Sequence, residues 1–391
     1  MSIDYICIMN KKVLFHVILF ILIFSCDNIK DEKQVPFEKL SSEITGINFS
    51  NIITPDIETS ENLFDYDYFY NGSGVGIADI NNDGLKDVLF TANQENNRLF
   101  INKGNLTFED ITELSNINTK TKKWSSGVTF ADVNNDGWLD IYISQGGPFE
   151  SNSRKNLLLI NNQDLTFTEK AEEYGLDDTG ISTQSAFFDF DKDGDLDCVV
   201  MNENEFYGYD PISFFKKYEN KSILMENSSH LYEQKDGKFI NITEKAGLLS
   251  PTFGLGLCIS DINNDNWPDI YIANDYYVKD AMYINNQDGT FTNQIKESTK
   301  QISFYGMGVD IEDINNDNLS DIFVLDMASS DHVRSKTLMA SMNTSNFDLI
   351  TNKLDQHYQY MFNSLQLNLG NDKYHNISHQ LNIAKTDWSW A

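Results

Sequence analysis

Short apolar stretches alternate with polar turns along most of the chain, and one such pattern recurs five times. Each copy contains an apolar stretch, an acidic segment of the form D-x-[DN]-x-D-[GN]-x-x-D and a second apolar stretch. The copies are GIADINNDGLKDVLF, TFADVNNDGWLDIYI, FFDFDKDGDLDCVV, CISDINNDNWPDIYI and IEDINNDNLSDIFV. Their leading aspartates lie 53, 57, 72 and 52 residues apart, at Asp79, Asp132, Asp189, Asp261 and Asp313. Repetition at this period indicates a fold built from similar structural units.

Each copy continues into two short alternating runs around an Asn, Asp or Gly turn, which is the pattern of a β-hairpin. These runs are RLFINKGNLTFEDIT, NLLLINNQDLTFTEK, HLYEQKDGKFINIT, AMYINNQDGTFTNQ and the more degenerate SLQLNLGNDKYHNIS. Each unit therefore has about four strands: one entering the acidic segment, one leaving it, and a hairpin. Four strands in roughly fifty residues, repeated, predict an all-β fold, a β-propeller with about five full blades.

The acidic segment has the chemistry of a cation-binding loop. Positions 1, 3 and 5 place side-chain oxygens on one concave side, position 6 takes the left-handed backbone that Gly or Asn allows, and Asp at position 9 completes the ligand set. Hard oxygen ligands in a flexible loop favour Ca²⁺ over Mg²⁺ or a transition metal. We therefore predict about five calcium sites. Their ligands are Asp79, Asn81, Asp83 and Asp87; Asp132, Asn134, Asp136 and Asp140; Asp189, Asp191, Asp193 and Asp197; Asp261, Asn263, Asp265 and Asp269; and Asp313, Asn315, Asp317 and Asp321.

Two alternatives to this calcium interpretation need to be weighed. An EF-hand requires a glutamate at position 12 and flanking helices, whereas position 12 here is apolar and lies in strand-like runs, at Phe90, Ile143, Val200, Ile272 and Val324. Metal-free acidic turns, in which Asp bonds its own backbone, remain the other alternative. Asp195, at position 7 of the third segment, is expected to point outward and is not counted as a ligand.

Charge supports a cationic ligand. The chain of 391 residues carries 59 acidic and 29 basic side chains, a formal net charge of −30, and sixteen of the twenty predicted ligands are carboxylates. Without cations these carboxylates would repel one another within single turns. The same negative charge makes nucleic acid and anionic membrane surfaces unfavourable partners.

The first 26 residues have the pattern of a signal peptide. A basic pair, Lys11 and Lys12, precedes an apolar stretch at 13–24, which is too short to span a bilayer, and Cys26 follows. This ending resembles a bacterial lipobox and predicts lipidation at Cys26, with Met9 as the more natural start. A plain secretory signal is the alternative.

Residues 27–36 form a polar tether. Its Lys30, Asp31 and Glu32 resemble the surface-export signal of Bacteroidetes lipoproteins. We therefore expect an outer-membrane lipoprotein, exposed at the cell surface, that contacts the membrane through its lipid anchor only.

The repeats resemble the FG-GAP or VCBS repeats of integrin-α-type β-propellers. A closer resemblance, to bacterial lipoproteins related to cartilage acidic protein, rests on segments 64–84, 355–371 and 384–391 and covers about residues 37–391. Longer members carry a C-terminal ASPIC/UnbV region, which is absent here. The resemblance therefore implies a C-terminally truncated member, with segments 37–49 and 383–391 as strands of a partial sixth blade.

Two insertions interrupt the repeats, at 203–230 and 327–363, and the second is expected to be partly helical. Aromatic residues in the first insertion either cover a blade face or form a ligand platform. There is no HExxH, GxSxG or phosphate-loop motif, and only Tyr207, Lys216, Lys217 and Tyr218 hint at a catalytic cluster. The sequence favours a binding module for an extracellular protein or glycan. An enzyme on a propeller scaffold, such as a polysaccharide lyase, and a purely structural scaffold are the alternatives.

Overall fold

The computed structural model describes residues 37–118, 124–337 and 344–387, and the chain divides into two units, 1–45 and 46–391. The described part of the first unit contains one helical turn, Ser42–Thr45. The signal segment, the tether and Cys26 lie outside the described residues. Within the described ranges, no helix is long and apolar enough to cross a membrane.

The described part of the second unit contains five antiparallel sheets of four strands each, with the strands of each sheet adjacent in chain order. We number these sheets as blades 1 to 5. Blade 1 contains β1 (Val75–Ala78), β2 (Asp87–Phe90), β3 (Arg98–Asn102) and β4 (Phe108–Asp110); blade 2 contains β5 (Ser125–Ala131), β6 (Asp140–Gln145), β7 (Leu157–Asn161) and β8 (Phe167–Glu169); blade 3 contains β9 (Ser182–Phe188), β10 (Asp197–Asn202), β11 (His230–Lys235) and β12 (Lys238–Asn241).

Blades 4 and 5 follow the same order, so the four-stranded repeat unit predicted from the sequence is confirmed. They contain β13 (Gly254–Ser260), β14 (Asp269–Asn274), β15 (Ala281–Asn285) and β16 (Phe291–Asn293); then, after β17 (Ile302–Ser303), β18 (Gly308–Glu312), β19 (Asp321–Leu325), β21 (Ser364–Asn368) and β22 (Tyr374–Asn376). The degenerate fifth hairpin forms β21 and β22 normally. β17 pairs in parallel with β20 (Gln359–Tyr360), a sheet that the sequence did not predict.

Short helices connect the blades or lie in the insertions. The helices that follow fourth strands are Thr112–Ser115, Ala171–Tyr174 and Ile295–Ser298, and a 3₁₀ turn lies at Ser151–Ser153. The first insertion contains the helices Pro211–Lys217 and Lys221–Glu226. The second insertion contains the helices Arg334–Thr337 and Thr344–Asp348 and the π-helix Leu349–Lys353. Asp210 caps the first inserted helix by accepting from the backbone of Ile212 and Ser213, and Pro211 suits its first turn. The partly helical character predicted for the second insertion is confirmed.

The core lies between consecutive blades, where four apolar clusters join neighbouring sheets. In blades 2, 3 and 4 the second strand is buried on both faces because a blade packs on each side of it, as at Ile141 and Tyr142. Close approach is achieved at glycine: a Cβ on Gly76 would lie 2.5 Å from the ring of Phe130 in the next blade. This serial packing of four-stranded sheets is the architecture of a β-propeller.

The first and last blades each have a face without a neighbouring blade among the described residues. Val75 and Ile77 of β1 are 58% and 64% exposed, while Val128 and Phe130 at the same positions of β5 are half-buried. Phe49 stacks on Phe90 at 4.9 Å and covers part of this face of blade 1.

Among the described residues, neither of the two strands predicted for a partial sixth blade is formed. Residues 37–49 contain a helical turn instead of a strand, and the described residues 383–387 contain no strand. Ser41, Ser42 and Glu43 explain the first difference, since serine and an acidic first turn favour the start of a helix. Residues 388–391 lie outside the described part.

Candidate functional site

All twenty predicted metal ligands lie in five loops that join the first and second strands of the blades. The loops are 79–87, 132–140, 189–197, 261–269 and 313–321, and we call the end of the blades that bears them the acidic end. Neighbouring loops touch: the Asn82 amide donates to the Gly137 carbonyl at 3.0 Å, and the Asn264 amide donates to the Asn318 carbonyl at 2.8 Å. The structure therefore brings the predicted residues together, loop by loop.

In every loop, side-chain oxygens accept the same set of hydrogen bonds from backbone N–H groups of that loop. In the first loop, the Asp79 carboxylate accepts from the N–H groups of Asp83 and Gly84, at 3.1 and 2.8 Å. Asp83 accepts from the N–H of Leu85 at 2.8 Å, and Asn81 accepts from the N–H of Asp83 at 3.0 Å. The equivalent bonds recur in the other four loops at 2.8 to 3.3 Å. These bonds turn the side-chain oxygens of positions 1, 3 and 5 inward.

The aspartate at position 9 is buried at the start of the second strand. In the first loop, Asp87 accepts from the N–H of Ile80 at 3.1 Å and from that of Asn102 at 2.8 Å. Burial raises the pKa of Asp87, and it raises that of the equivalent Asp140 to about 6. The pKa of Asp269 rises to about 7 for the same reason. The aspartate at position 9 therefore links the loop to the third strand of its blade, and its carboxylate also supplies oxygen to the predicted metal site.

Two positions in every loop have a left-handed backbone. Position 6 was predicted, and its φ angles are 86°, 85°, 97°, 67° and 67° at Gly84, Gly137, Gly194, Asn266 and Asn318. Position 4 was not predicted, and its φ lies between 57° and 62° at Asn82, Asn135, Lys192, Asn264 and Asn316. The four asparagines at position 4 were the available signal, because asparagine tolerates positive φ.

The third loop is the most acidic. Carboxylate oxygens of Asp189, Asp191 and Asp197 all lie within 4.8 Å of one another. Asp195 does not point outward as predicted: it is half-buried, and its Oδ1 has no hydrogen-bond partner among the described residues. Burial and the neighbouring Asp193 raise the pKa of Asp195 to about 6.

A residue in the third strand of every blade supports the loop, and the sequence analysis missed it. Asn161 donates its backbone N–H to Asp140 at 2.8 Å and its amide to the Leu139 carbonyl at 3.1 Å. Its amide also donates to Ile80 of the preceding loop at 2.9 Å. The equivalent residues are Asn102, Gln234, Asn285 and Asn368. The sequence signal for this residue was the side-chain amide, Asn or Gln, that recurs at the centre of INK, INN, EQK, INN and LNL.

The opposite end of the blades carries an aromatic cluster. The first insertion contributes Phe214, which is fully buried and packs on Phe253 with ring centroids 5.4 Å apart. Tyr66 and Phe69, from the segment before β1, belong to the same cluster. The buried aromatics of this cluster therefore mainly cover the ends of the blades.

The four residues that hinted at catalysis do not meet in one cleft. The Tyr207 hydroxyl donates to Glu203 at 3.2 Å, and that of Tyr218 donates to Asn204 at 2.8 Å. Lys217 lies 4.2 Å from the ring centroid of Phe206, and Lys216 lies on the exposed side of its helix. These side chains therefore make separate structural contacts and do not form a common site.

Glu203 is a buried carboxyl that the sequence did not single out. It is 2% exposed and accepts from the hydroxyls of Tyr66 and Tyr207, both at 3.2 Å. Burial raises its pKa to about 8, although the two tyrosine hydroxyls act in the other direction. Tyr66 lies 137 residues away in sequence, so no local pattern could have indicated the contact.

Comparison with known proteins identifies the repeats. The model of the FG-GAP-like repeat matches residues 70–143 and 261–324, which include acidic loops 1, 2, 4 and 5. The chain is thus a β-propeller that contains FG-GAP-like repeats. No curated protein matches the sequence.

Several solved structures are similar in fold at low sequence identity. An Agrocybe aegerita lectin, described as recognising non-reducing terminal N-acetylglucosamine, is 14% identical with a TM-score of 0.39, over 77% of this chain and 64% of the lectin. The V. cholerae biofilm matrix protein Bap1 is 12% identical with a TM-score of 0.37, over 66% of this chain and 35% of Bap1. A GH43 β-1,3-galactosidase is 9% identical with a TM-score of 0.35, over 65% and 85%.

Proposed function

We propose that this protein is a calcium-binding lipoprotein of the bacterial cell surface whose propeller binds an extracellular protein or glycan. The observation that carries the calcium part is the five-fold repetition of one loop geometry with only oxygen donors at the ligand positions. Within the described residues, the third loop places three carboxylates where their charges repel. A divalent cation would remove that repulsion, which fits the donor chemistry of Ca²⁺.

Calcium would act structurally in this proposal. Bound Ca²⁺ supplies positive charge and coordination at each loop, which connects the first and second strands of one blade. Asn161 and Asn285 link a third strand to the preceding loop, so that each loop also supports its neighbour. Ordering the acidic end would in turn hold the blades in register while the insertions at the opposite end contact a ligand.

Calcium titration of the full chain tests this part. We expect heat of binding for about five Ca²⁺ per chain and a melting temperature that rises with calcium concentration, because Ca²⁺ binds the folded state. Asp193→Asn should remove one site. Asp236→Asn, the same charge change in an exposed hairpin turn of the same blade, should remove none. Unchanged stoichiometry in Asp193→Asn, or a melting curve insensitive to chelator, would contradict calcium binding.

The membrane part of the proposal rests on the sequence at Cys26. Together with the resemblance to lipoproteins related to cartilage acidic protein, it supports lipid anchoring at the outer membrane. Cys26→Ala should move the protein from the membrane fraction to the soluble fraction, since acyl chains would hold it there. Cys258→Ala is the matched control and should stay with the membrane. Membrane retention of Cys26→Ala would defeat the lipid anchor.

A further inference from the structure

A large cavity opens between blades 2 and 3 at the opposite end of the blades. Its volume is about 1110 Å³, slightly above the range of about 300–1,000 Å³ that is typical of ligand pockets. Its walls come from segments 147–154, 175–181 and 225–232, with Ser60, Asp65 and Tyr66 on another side. None of the predicted calcium ligands lines it, so the cavity is separate from the acidic loops.

The cations in and beside the cavity wall are already paired. Arg154 is 6% exposed; it donates to Glu205 at 2.8 Å and to the carbonyls of Phe149 and Thr179 at 2.7 and 3.3 Å. Lys155, next to this arginine, pairs with Asp177 at 2.7 Å. Neither cation is therefore available to bind an anionic ligand.

Both ring nitrogens of His230 also have partners within the protein. Its Nδ1 lies 2.6 Å from Asp178 and its Nε2 lies 2.8 Å from the Met225 carbonyl, while the Tyr232 hydroxyl donates to Asp178 at 2.7 Å. Burial opposes charge on both partners, yet their contact lowers the pKa of Asp178 and raises that of His230. The pair is an internal ion pair, so it contributes no net charge to the cavity.

Three further lining carboxylates have no cationic partner among the described residues. They are Asp65, Glu150 and Glu226, and all three are exposed. Asp65 accepts from the side-chain amide of Asn62 at 2.7 Å. Because the other lining charges cancel in pairs, these three give the cavity a net negative charge, which attracts cations and repels anions.

The remaining lining groups suit a hydroxyl-rich ligand. Ser151, Thr179 and Asn241 offer hydrogen-bonding side chains. The hydroxyls of Tyr66 and Tyr207 donate to Glu203, so these two residues offer the cavity mainly aromatic ring. We infer that this cavity binds a small, hydroxyl-rich organic cation of the amine-bearing sugar class. The inference rests on the proposed function as a binding module and specifies the chemistry of its ligand.

Calorimetry with three trisaccharides tests the inference on the full chain, purified in detergent with calcium. The glucosamine trimer should bind, the neutral N-acetylglucosamine trimer should bind at least about ten-fold more weakly, and the galacturonic acid trimer should not bind. Raising the salt concentration should weaken binding of the glucosamine trimer, because the three unpaired carboxylates are exposed. Equal binding of the glucosamine and N-acetylglucosamine trimers would overturn the inference, as would spermine, an amine without hydroxyls, binding as tightly as the sugar.

Variants locate the site. Glu150→Gln with Glu226→Gln should weaken the glucosamine trimer about five- to ten-fold, the effect expected for losing two exposed charge pairs, and leave the melting temperature unchanged. Glu95→Gln with Glu113→Gln makes the same charge change at exposed positions in the connection between β2 and β3 and in the helix after β4, and should not alter binding. Unchanged affinity in the first double variant overturns the inference. Calcium stoichiometry, measured on the same samples, reports separately on the calcium part of the proposed function.

Discussion

The two ends of the blades differ in how uniform their connecting loops are. At the acidic end, every loop spans nine residues from its first to its last predicted ligand, and the hydrogen bonds repeat from loop to loop. At the opposite end, the connection between the second and third strands ranges in length from the short 275–280 in blade 4 to the long 326–363 in blade 5. Loops that share one ligand geometry cannot vary in length, whereas connections that only cover a blade face can. Specificity is therefore expected at the variable end.

The ends also differ in what stabilises them. The loops at the acidic end are mostly exposed and rich in charge, and their order depends on backbone N–H groups facing carboxylates. The opposite end buries aromatic side chains, such as Phe214 and Phe253, together with the carboxyl of Glu203, whose pKa is raised by burial. Each end should thus respond to a different perturbation, and the predictions below separate them.

Removing calcium should have the largest effect. One site with calcium at a hundred times its Kd stabilises the folded state by about 2.7 kcal/mol, and several sites add. We expect chelator to lower the melting temperature of the whole propeller, since the loops brace neighbouring blades. Differential scanning calorimetry with and without chelator measures this. If chelator removes protection from hydrogen exchange in the loops alone, the blades remain folded without metal.

Truncation in the aromatic cluster should rank next. Phe214→Ala removes a fully buried ring and should cost about 3–5 kcal/mol of unfolding free energy, in the range typical for a buried phenylalanine. Phe64→Ala, at a position 87% exposed, is the matched control and should cost little. Urea unfolding measures both. Calcium stoichiometry should stay the same in Phe214→Ala, and loss of sites there would show that the two ends are coupled.

The sequence predicted the repeated part of this molecule and missed most of what joins distant segments. Position 9 aspartates and the degenerate fifth hairpin could be read from local pattern, because a loop and its strands lie within some thirty residues. The contact between Tyr66 and Glu203 and the β17–β20 pairing could not, since each depends on chain segments brought together by folding. Asn161 lies between these cases: its recurrence was visible, but its role required the structure.

The buried carboxyl at the opposite end should give stability a particular pH dependence. Glu203 has a pKa of about 8 in the folded protein against 4.5 ordinarily, so its contribution is fully present below about pH 4.5 and is lost as pH rises through 8. Glu203→Gln keeps a neutral acceptor for Tyr66 and Tyr207. Its stability relative to the native chain should therefore rise by about 1 kcal/mol per pH unit between pH 5 and 8.

Urea unfolding at several pH values, with calcium saturating throughout, measures this difference. Glu219→Gln, an exposed glutamate in the same insertion, is the control and should follow the native chain at every pH. If Glu203→Gln also follows the native chain, Glu203 is ionised in the folded state and the aromatic cluster holds a charge.

The smallest effect is expected at position 6 of the acidic loops. Asn266 has φ of 67° where Gly137 has 85°, so both sit in the left-handed region, which costs a residue with a Cβ about 1 kcal/mol or more. Asn266→Ala should lose about 1 kcal/mol, because alanine lacks the local hydrogen bonding that lets asparagine adopt this backbone, and Asn266→Gly should be close to neutral. The N–H of residue 266 donates to Asp261 at 2.8 Å, and neither change removes that donor. Calcium stoichiometry should therefore hold in both variants while only the unfolding midpoint of the alanine variant falls. Equal midpoints would mean that the loop can relax its backbone at this position, and the uniform geometry of the acidic end would then not require a left-handed residue there.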